Sequence, residues 1–337
     1  MKKFFILQSI LFLAPIFLRA QILNTTQLGK QITQYGKNEW EINLKENWDN
    51  PYLKEDISLD MLLTTPSGKK LVLPCYYETG KSGELSLWKA RFAPQEAGKY
   101  SYVFRLTKSE KEPVTSKSGS FISIASRKNG FLHPKSNWVL QFDNGKPFRG
   151  LGENIGWESR ASDDSKFFKE LHEKSKYNYE YMLPSLSKHG GNFYRTWISA
   201  FNLPIDWQKP HNSNRYKETD QYYNPSAIAK MDRLVSLSDS LGVYMMLTLG
   251  QGAYNVRDGG FSPTAADFFV NPKSKQRYKN RLRYFIARWG YSTSIASWEL
   301  FNEVDNVQFS NKSNPIKVDS IVIWHDEMSA YIKQNDP

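Results

Sequence analysis

The sequence predicts two kinds of fold in one chain, an all-β sandwich followed by parallel β/α units. Three observations lead there. From Trp40 to about Ile124 apolar residues recur with period two, and after Asn137 short apolar runs alternate with long amphipathic stretches. Between them "SRKNGFLHPKSN" carries neither rhythm and reads as a linker, residues 127–137.

In the first region "WEINLK", "ISLDMLLTT", "KKLVLPCYYE", "LWKARFAP", "GKYSYVFRLT" and "GSFISIAS" are separated by turns such as "TPSGKK". Six or seven short strands at this spacing, with no helical pattern, predict an antiparallel β-sandwich over residues 21–126. The lone cysteine, Cys75, lies in the apolar run "LVLPCYY" and reads as packed rather than reactive. An exported chain with one cysteine has no internal disulfide and depends on its core.

In the second region "FRGLGEN", "NFYRTWIS", "VYMMLTLG" and "IASWELFNE" read as buried strands starting near residues 148, 192, 243 and 296. Helices are expected within 164–189, near 225–241, at 273–289 and near 317–334. At about fifty residues per unit a closed eight-unit barrel needs roughly 400 residues, and only about 200 follow the linker. The expectation is the first half of such a barrel over residues 138–337, in a truncated record or fragment rather than a natural four-unit sheet.

The first twenty residues read as an address. Lys2 and Lys3 precede an apolar run from Phe4 to Leu18, and Leu18-Arg19-Ala20 offers a small-residue cleavage site. That run is too short for a comfortable membrane span and no second one follows, so a cleaved signal over residues 1–20 and a secreted or periplasmic location are expected. The formal net charge of +11 is spread among acids without a basic run, which favours a solvated surface over nucleic-acid or anionic-glycan binding. The five histidines (133, 172, 189, 211 and 325) show no HxH or HExxH spacing, so neither a metal nor another cofactor is expected. "ETGKS" has Cys75 where a phosphate-binding loop needs its first glycine, and neither GxSxG nor GxGxxG occurs.

If the strands are parallel, their C-terminal ends share one face. That face gathers Glu153, Asn154 and Trp157; Arg195, Thr196 and Trp197; Gln251 and Tyr254; and Asn302 with Glu303. A glutamate at a strand end rimmed by aromatic rings is expected to keep its proton near neutral pH and to protonate a leaving oxygen. The plainer reading has Asn302-Glu303 capping the strand or pairing with Arg195. The long loop 199–223 carries Phe201, Trp207, Tyr216, Tyr222 and Tyr223. These rings read as a sugar platform or as cover for the loop's own base.

"ASWELFNEVD" resembles the fourth-strand motif of the retaining glycoside hydrolases with (β/α)₈ barrels, the cellulase-like clan. "GGNFYRTWIS" is similar to their second strand and "QFDNGKPFRGLGENIGW" to their first. "PQEAGKYSYVF" resembles the corner of an immunoglobulin-like module, where a tyrosine pins the turn before a core strand, and such modules often precede these barrels. The fold class implied is an N-terminal immunoglobulin-like sandwich followed by a partial TIM-type (β/α) barrel.

The resemblance implies Glu303 as general acid/base, Asn302 as ligand of the sugar 2-hydroxyl, and Arg195 as the cation holding the nucleophile ionised. Trp157, Asn154, Trp197, Trp207, Tyr254 and Gln251 are then expected to bind substrate. Val304 follows Glu303 where many relatives have proline, and Gly250-Gln251-Gly252 stands where many have histidine. The nucleophile belongs to a seventh strand that these residues do not include. Glu299, four residues before Glu303, reads as a paired structural acid, and Glu153 is a remote candidate partner. The function expected is retaining hydrolysis of a polysaccharide or oligosaccharide. The alternative is a secreted glycan-binding or scaffold protein without turnover.

Overall fold

A computed structural model describes residues 21–29, 31–109, 111–162, 173–250, 262–305 and 316–336. The expected signal segment lies outside the described residues, and no described helix is long and apolar enough to cross a membrane.

The first ten strands form two sheets. They are β1 (Gln21–Gln27), β2 (Ile32–Thr33), β3 (Asn38–Lys45), β4 (Ile57–Thr64) and β5 (Lys70–Pro74). Then come β6 (Tyr76–Gly80), β7 (Leu85–Phe92), β8 (Gly98–Lys108), β9 (Val114–Thr115) and β10 (Gly119–Ile124). One sheet has the order β1-β3-β7-β6; the other runs β2-β10-β8-β4-β5, with β9 on β8. All pairs are antiparallel except β2 with β10, which is parallel. Alternation in β3 turns Trp40, Ile42 and Leu44 inward, where they meet Leu59, Met61, Phe104 and Phe121 of the facing sheet. Cys75 is buried in this core, and burial pushes its thiol pKa up.

The tyrosine at the β8 corner is Tyr100. Its hydroxyl accepts from the Glu96 amide at 2.9 Å and donates to the Glu96 carbonyl at 3.2 Å. Its ring stacks on Phe121 at 4.8 Å.

The segment read as a linker contains a strand. β11 (Leu132–Ser136), β12 (Val139–Phe142) and β13 (Pro147–Phe148) make a small antiparallel sheet. Pro134 sits on β11, an edge strand, the position where a sheet tolerates proline. The first expected strand is therefore split: Phe148 belongs to this sheet, and the parallel strand begins at Gly152. Phe142 and Phe148 lie 5.3 and 5.2 Å from Tyr244, so the small sheet lies against the N-terminal ends of the parallel strands.

The parallel sheet has the order β14 (Gly152–Asn154), β15 (Phe193–Trp197), β16 (Tyr244–Thr248), β17 (Ile295–Glu299). A Cβ at Gly152 would lie 1.6 Å from the Phe193 carbonyl oxygen, so β14 approaches β15 only because that residue is glycine. The helices are α1 (Tyr179–Lys188), α2 (Pro225–Leu241), α3 (Ala265–Val270), α4 (Pro272–Trp289) and α5 (Val318–Asn335). Local chemistry sets their ends: the Asn224 and Asn271 side chains cap α2 and α4, each before a proline in the first turn. Gly242 stops α2 at φ +65°.

Helix α4 is buried on nearly every side, not on one stripe alone. Its Arg283 donates to Asp60 at 2.7 Å and to the Leu59 carbonyl at 3.0 Å, and its Arg288 donates to Glu78 at 2.6 Å and Asp232 at 2.7 Å. From β7, Arg91 reaches Glu39 at 2.6 Å, Asp232 at 3.1 Å and the Arg288 carbonyl at 3.1 Å. Tyr52, Tyr76, Tyr223 and Tyr284 fill the space between. The helix thus ties the antiparallel sheets to the parallel one.

Asp232 also accepts from Trp289 Nε1 at 2.8 Å, so truncating it leaves that indole N–H without its acceptor and takes one of two carboxylates from each of Arg91 and Arg288, which keep Glu39 and Glu78. Asp232→Ala should lower unfolding free energy by about 3 kcal/mol, read by urea denaturation. Burial alone would raise the Glu39 pKa, but Arg91 outweighs it and holds the carboxyl at about 2. A depressed pKa stabilises fully above the ordinary value of 4.5 and loses that contribution as pH falls through about 2. Glu39→Gln should therefore flatten the acid limb of the stability profile measured by thermal melts between those values.

Candidate active site

The site is built on the face of the parallel sheet opposite the helices. In β15, Tyr194 and Thr196 turn toward the helices, where their hydroxyls meet Ser238 Oγ at 2.7 Å and Tyr179 Oη at 2.5 Å. Strand alternation puts Arg195 and Trp197 on the other face. The register sets Asn154 opposite Arg195, and Thr248 opposite both Trp197 and Glu299.

Arg195 grips Glu299 through two bonds, Nε to Oε2 at 2.6 Å and Nη2 to Oε1 at 2.7 Å. Thr248 donates to the same Oε2 at 2.7 Å. Nη2 also donates to Asn302 Oδ1 at 2.9 Å, and Nη1 lies 3.5 Å from Asn154 Oδ1. The guanidinium stands over the Trp197 ring at 4.9 Å. Burial pushes the Glu299 carboxyl pKa up, but Arg195 and Thr248 outweigh it and the net direction is down. Arg195 was expected to hold a nucleophile; here much of its fork is committed to Glu299 and Asn302. Thr248, the residue sequence reasoning missed, carries only a faint signal, a threonine closing an apolar strand.

Asn302 is buried, and its amide N–H bonds to the Gly250 carbonyl at 3.2 Å. Glu303 is exposed and takes φ +51°. Partly apolar surroundings were expected for it; it lies four residues past the end of β17, where its left-handed backbone bends the loop. Glu153 is exposed on β14.

Trp157 packs edge-on against Trp197 at 5.0 Å and Phe201 at 5.6 Å, with Arg160 over the Phe201 ring at 5.2 Å. These three rings form a partly exposed aromatic wall beside Arg195. Trp207, expected on the substrate side, is only 1% exposed and belongs to the core. Tyr216 and Tyr223 are buried with it, since the loop folds back over its base: Tyr216 Oη accepts from the Leu203 amide at 3.0 Å, and the Asn224 amide bonds to the Ile205 carbonyl at 2.8 Å. Gln251 and Tyr254 lie outside the described residues. Among the described residues no group of three or more His, Cys, Asp or Glu could hold a metal.

Arg195→Ala would leave the Glu299 carboxylate half-buried without its cation. The Glu299 pKa should then rise toward its ordinary value or beyond, and stability should fall by about 1.5–3 kcal/mol. Carboxyl-carbon NMR titration and urea denaturation measure the two effects.

Residues 31–107 match a family described as a domain of unknown function, DUF5060. Mannan endo-1,4-beta-mannosidase F of Aspergillus fumigatus is 26% identical over 175 residues, 46% of this chain and 36% of that protein. Mannan endo-1,4-beta-mannosidase 3 of Arabidopsis thaliana is 24% identical over 229 residues, 62% of this chain and 49% of that protein. The chain thus spans less than half the length of these curated relatives. A crystal structure of a presumed glycoside hydrolase from Bacteroides vulgatus ATCC 8482 shares the fold at a TM-score of 0.60 and 16% identity, covering 92% of this chain and 54% of that one. In sequence, the chain is related to glycoside hydrolases.

Proposed function

We propose that this chain belongs to a secreted glycoside hydrolase that cleaves internal β-1,4 linkages of mannan by a retaining mechanism. On this reading residues 21–126 are an immunoglobulin-like sandwich, and the parallel sheet is the first half of a (β/α)₈ barrel whose nucleophile lies on a later strand. The substrate class rests on the mannan endo-1,4-beta-mannosidase relatives. The observation that carries the chemistry is the Asn302-Glu303 pair just beyond the C-terminal end of β17, with Arg195 bonded to Asn302.

Glu303 protonates the leaving glycosidic oxygen as a carboxylate attacks the anomeric carbon, then removes a proton from the water that releases the sugar. Its exposure fits a group that must meet both leaving group and water. Asn302 bonds the 2-hydroxyl as positive charge builds at the anomeric carbon, where that bond gains strength. Asn154 and the Trp157–Trp197 wall bind the sugar rings, whose apolar faces suit indole.

In the full-length protein, Glu303→Gln should cut hydrolysis of β-mannan by at least ~10²-fold. The loss should be smaller for an aryl glycoside whose leaving group needs no proton. Reducing-sugar release measures the first, and phenolate absorbance the second. Binding of mannan without hydrolysis by the wild-type protein would favour the glycan-binding alternative.

A further inference from the structure

Asn302 is 3% exposed, and its Nδ2 is buried with no hydrogen-bond partner among the described residues. Burying a donor unsatisfied costs about 1–3 kcal/mol, so such a group calls for an acceptor. The orientation of the amide follows from its neighbour. A guanidinium has donors and no acceptor, so the Asn302 atom 2.9 Å from Arg195 Nη2 must be the carbonyl oxygen. The NH₂ group is thereby committed to the opposite side, as a donor.

What holds Arg195 in that pose is Glu299, through its two bonds, and Thr248, which fixes the Glu299 carboxylate in turn. The Gly250 carbonyl fixes the Asn302 backbone at 3.2 Å. The four side chains form one chain of bonds: Thr248 to Glu299, Arg195 to Glu299, Arg195 to Asn302. Every proton in it has one direction.

We propose that Glu299 and Thr248 are positioning residues that lock Asn302 as a hydrogen-bond donor, so that the site selects sugars bearing an acceptor at C2. The inference rests on the glycosidase reading above and deepens it. A 2-hydroxyl or 2-fluoro group meets the donor, whereas a 2-deoxy sugar leaves it orphaned. A 2-amino sugar, protonated at neutral pH, presents only donors and is refused. Without the carboxylate, Arg195 loses its fixed fork and the Asn302 amide can turn over.

The test uses the full-length protein, an aryl β-mannobioside, and its counterpart lacking the 2-hydroxyl at the cleaved sugar. Wild-type hydrolysis of β-mannan and of the aryl substrate comes first; absence of both would overturn the glycosidase reading and the inference with it. Given activity, Glu299→Gln should lower the 2-hydroxy to 2-deoxy kcat ratio by ~10-fold or more, with KM nearly unchanged, because that bond strengthens in the transition state. Thr248→Val, which keeps shape and leaves the Arg195–Glu299 pair, should lower the ratio in the same direction by about 2–5-fold. Equal losses on both substrates, with the ratio unchanged, would mean that the residues only support the fold and would overturn the proposal. If Glu299→Gln does not fold, the Thr248→Val ratio decides alone.

Discussion

A buried guanidinium must be matched, because an arginine cannot discard its charge as a buried lysine or carboxyl can. The whole arrangement depends on that constraint. Arg281 is buried against Asp206, Arg283 against Asp60, Arg288 against Glu78 and Asp232, and Arg91 against Glu39 and Asp232. Each pair spans two elements distant in sequence, so each fixes a relative position as well as a charge. Arg195 with Glu299 is the same device on the open face of the sheet, and there it orients an amide instead of a helix.

Legibility in the sequence followed the range of the forces involved. α2 and α4 could be read nearly to their ends, because Asn-Pro caps and a closing glycine are local signals. The small sheet β11–β13 went unread: a two-residue strand, and another holding a proline, show no period at all. The all-round burial of α4 was equally hidden, since a helix rich in arginine reads as solvated on its polar side until its partners are known.

The site divides along the same line. Asn302, Glu303 and Arg195 stand out by strand position, a matter of local pattern. Which carboxylate faces Arg195 is a matter of register between strands 104 residues apart, and the register picks Glu299. Trp207 and Phe201 come from one loop and one composition, yet one is core and the other rim. Aromatic content alone carries no direction; only the fold-back of loop 199–223 gives it one.

The tie through α4 also bears on the order of synthesis. The Arg91–Arg288 and Arg283–Leu59 bonds join residues 197 and 224 positions apart. At about 5–20 residues per second, β4 and β7 leave the ribosome roughly ten to forty seconds before the helix that completes them. Over that interval Arg91, Asp60 and Glu78 face water, and the tyrosines beside them have no cover. The early sheets must therefore remain soluble while incomplete, and charge along the future interface serves that purpose as well as the later pairing. Contacts of such long range also predict slow final docking, since closing a loop of this length costs entropy before any bond repays it.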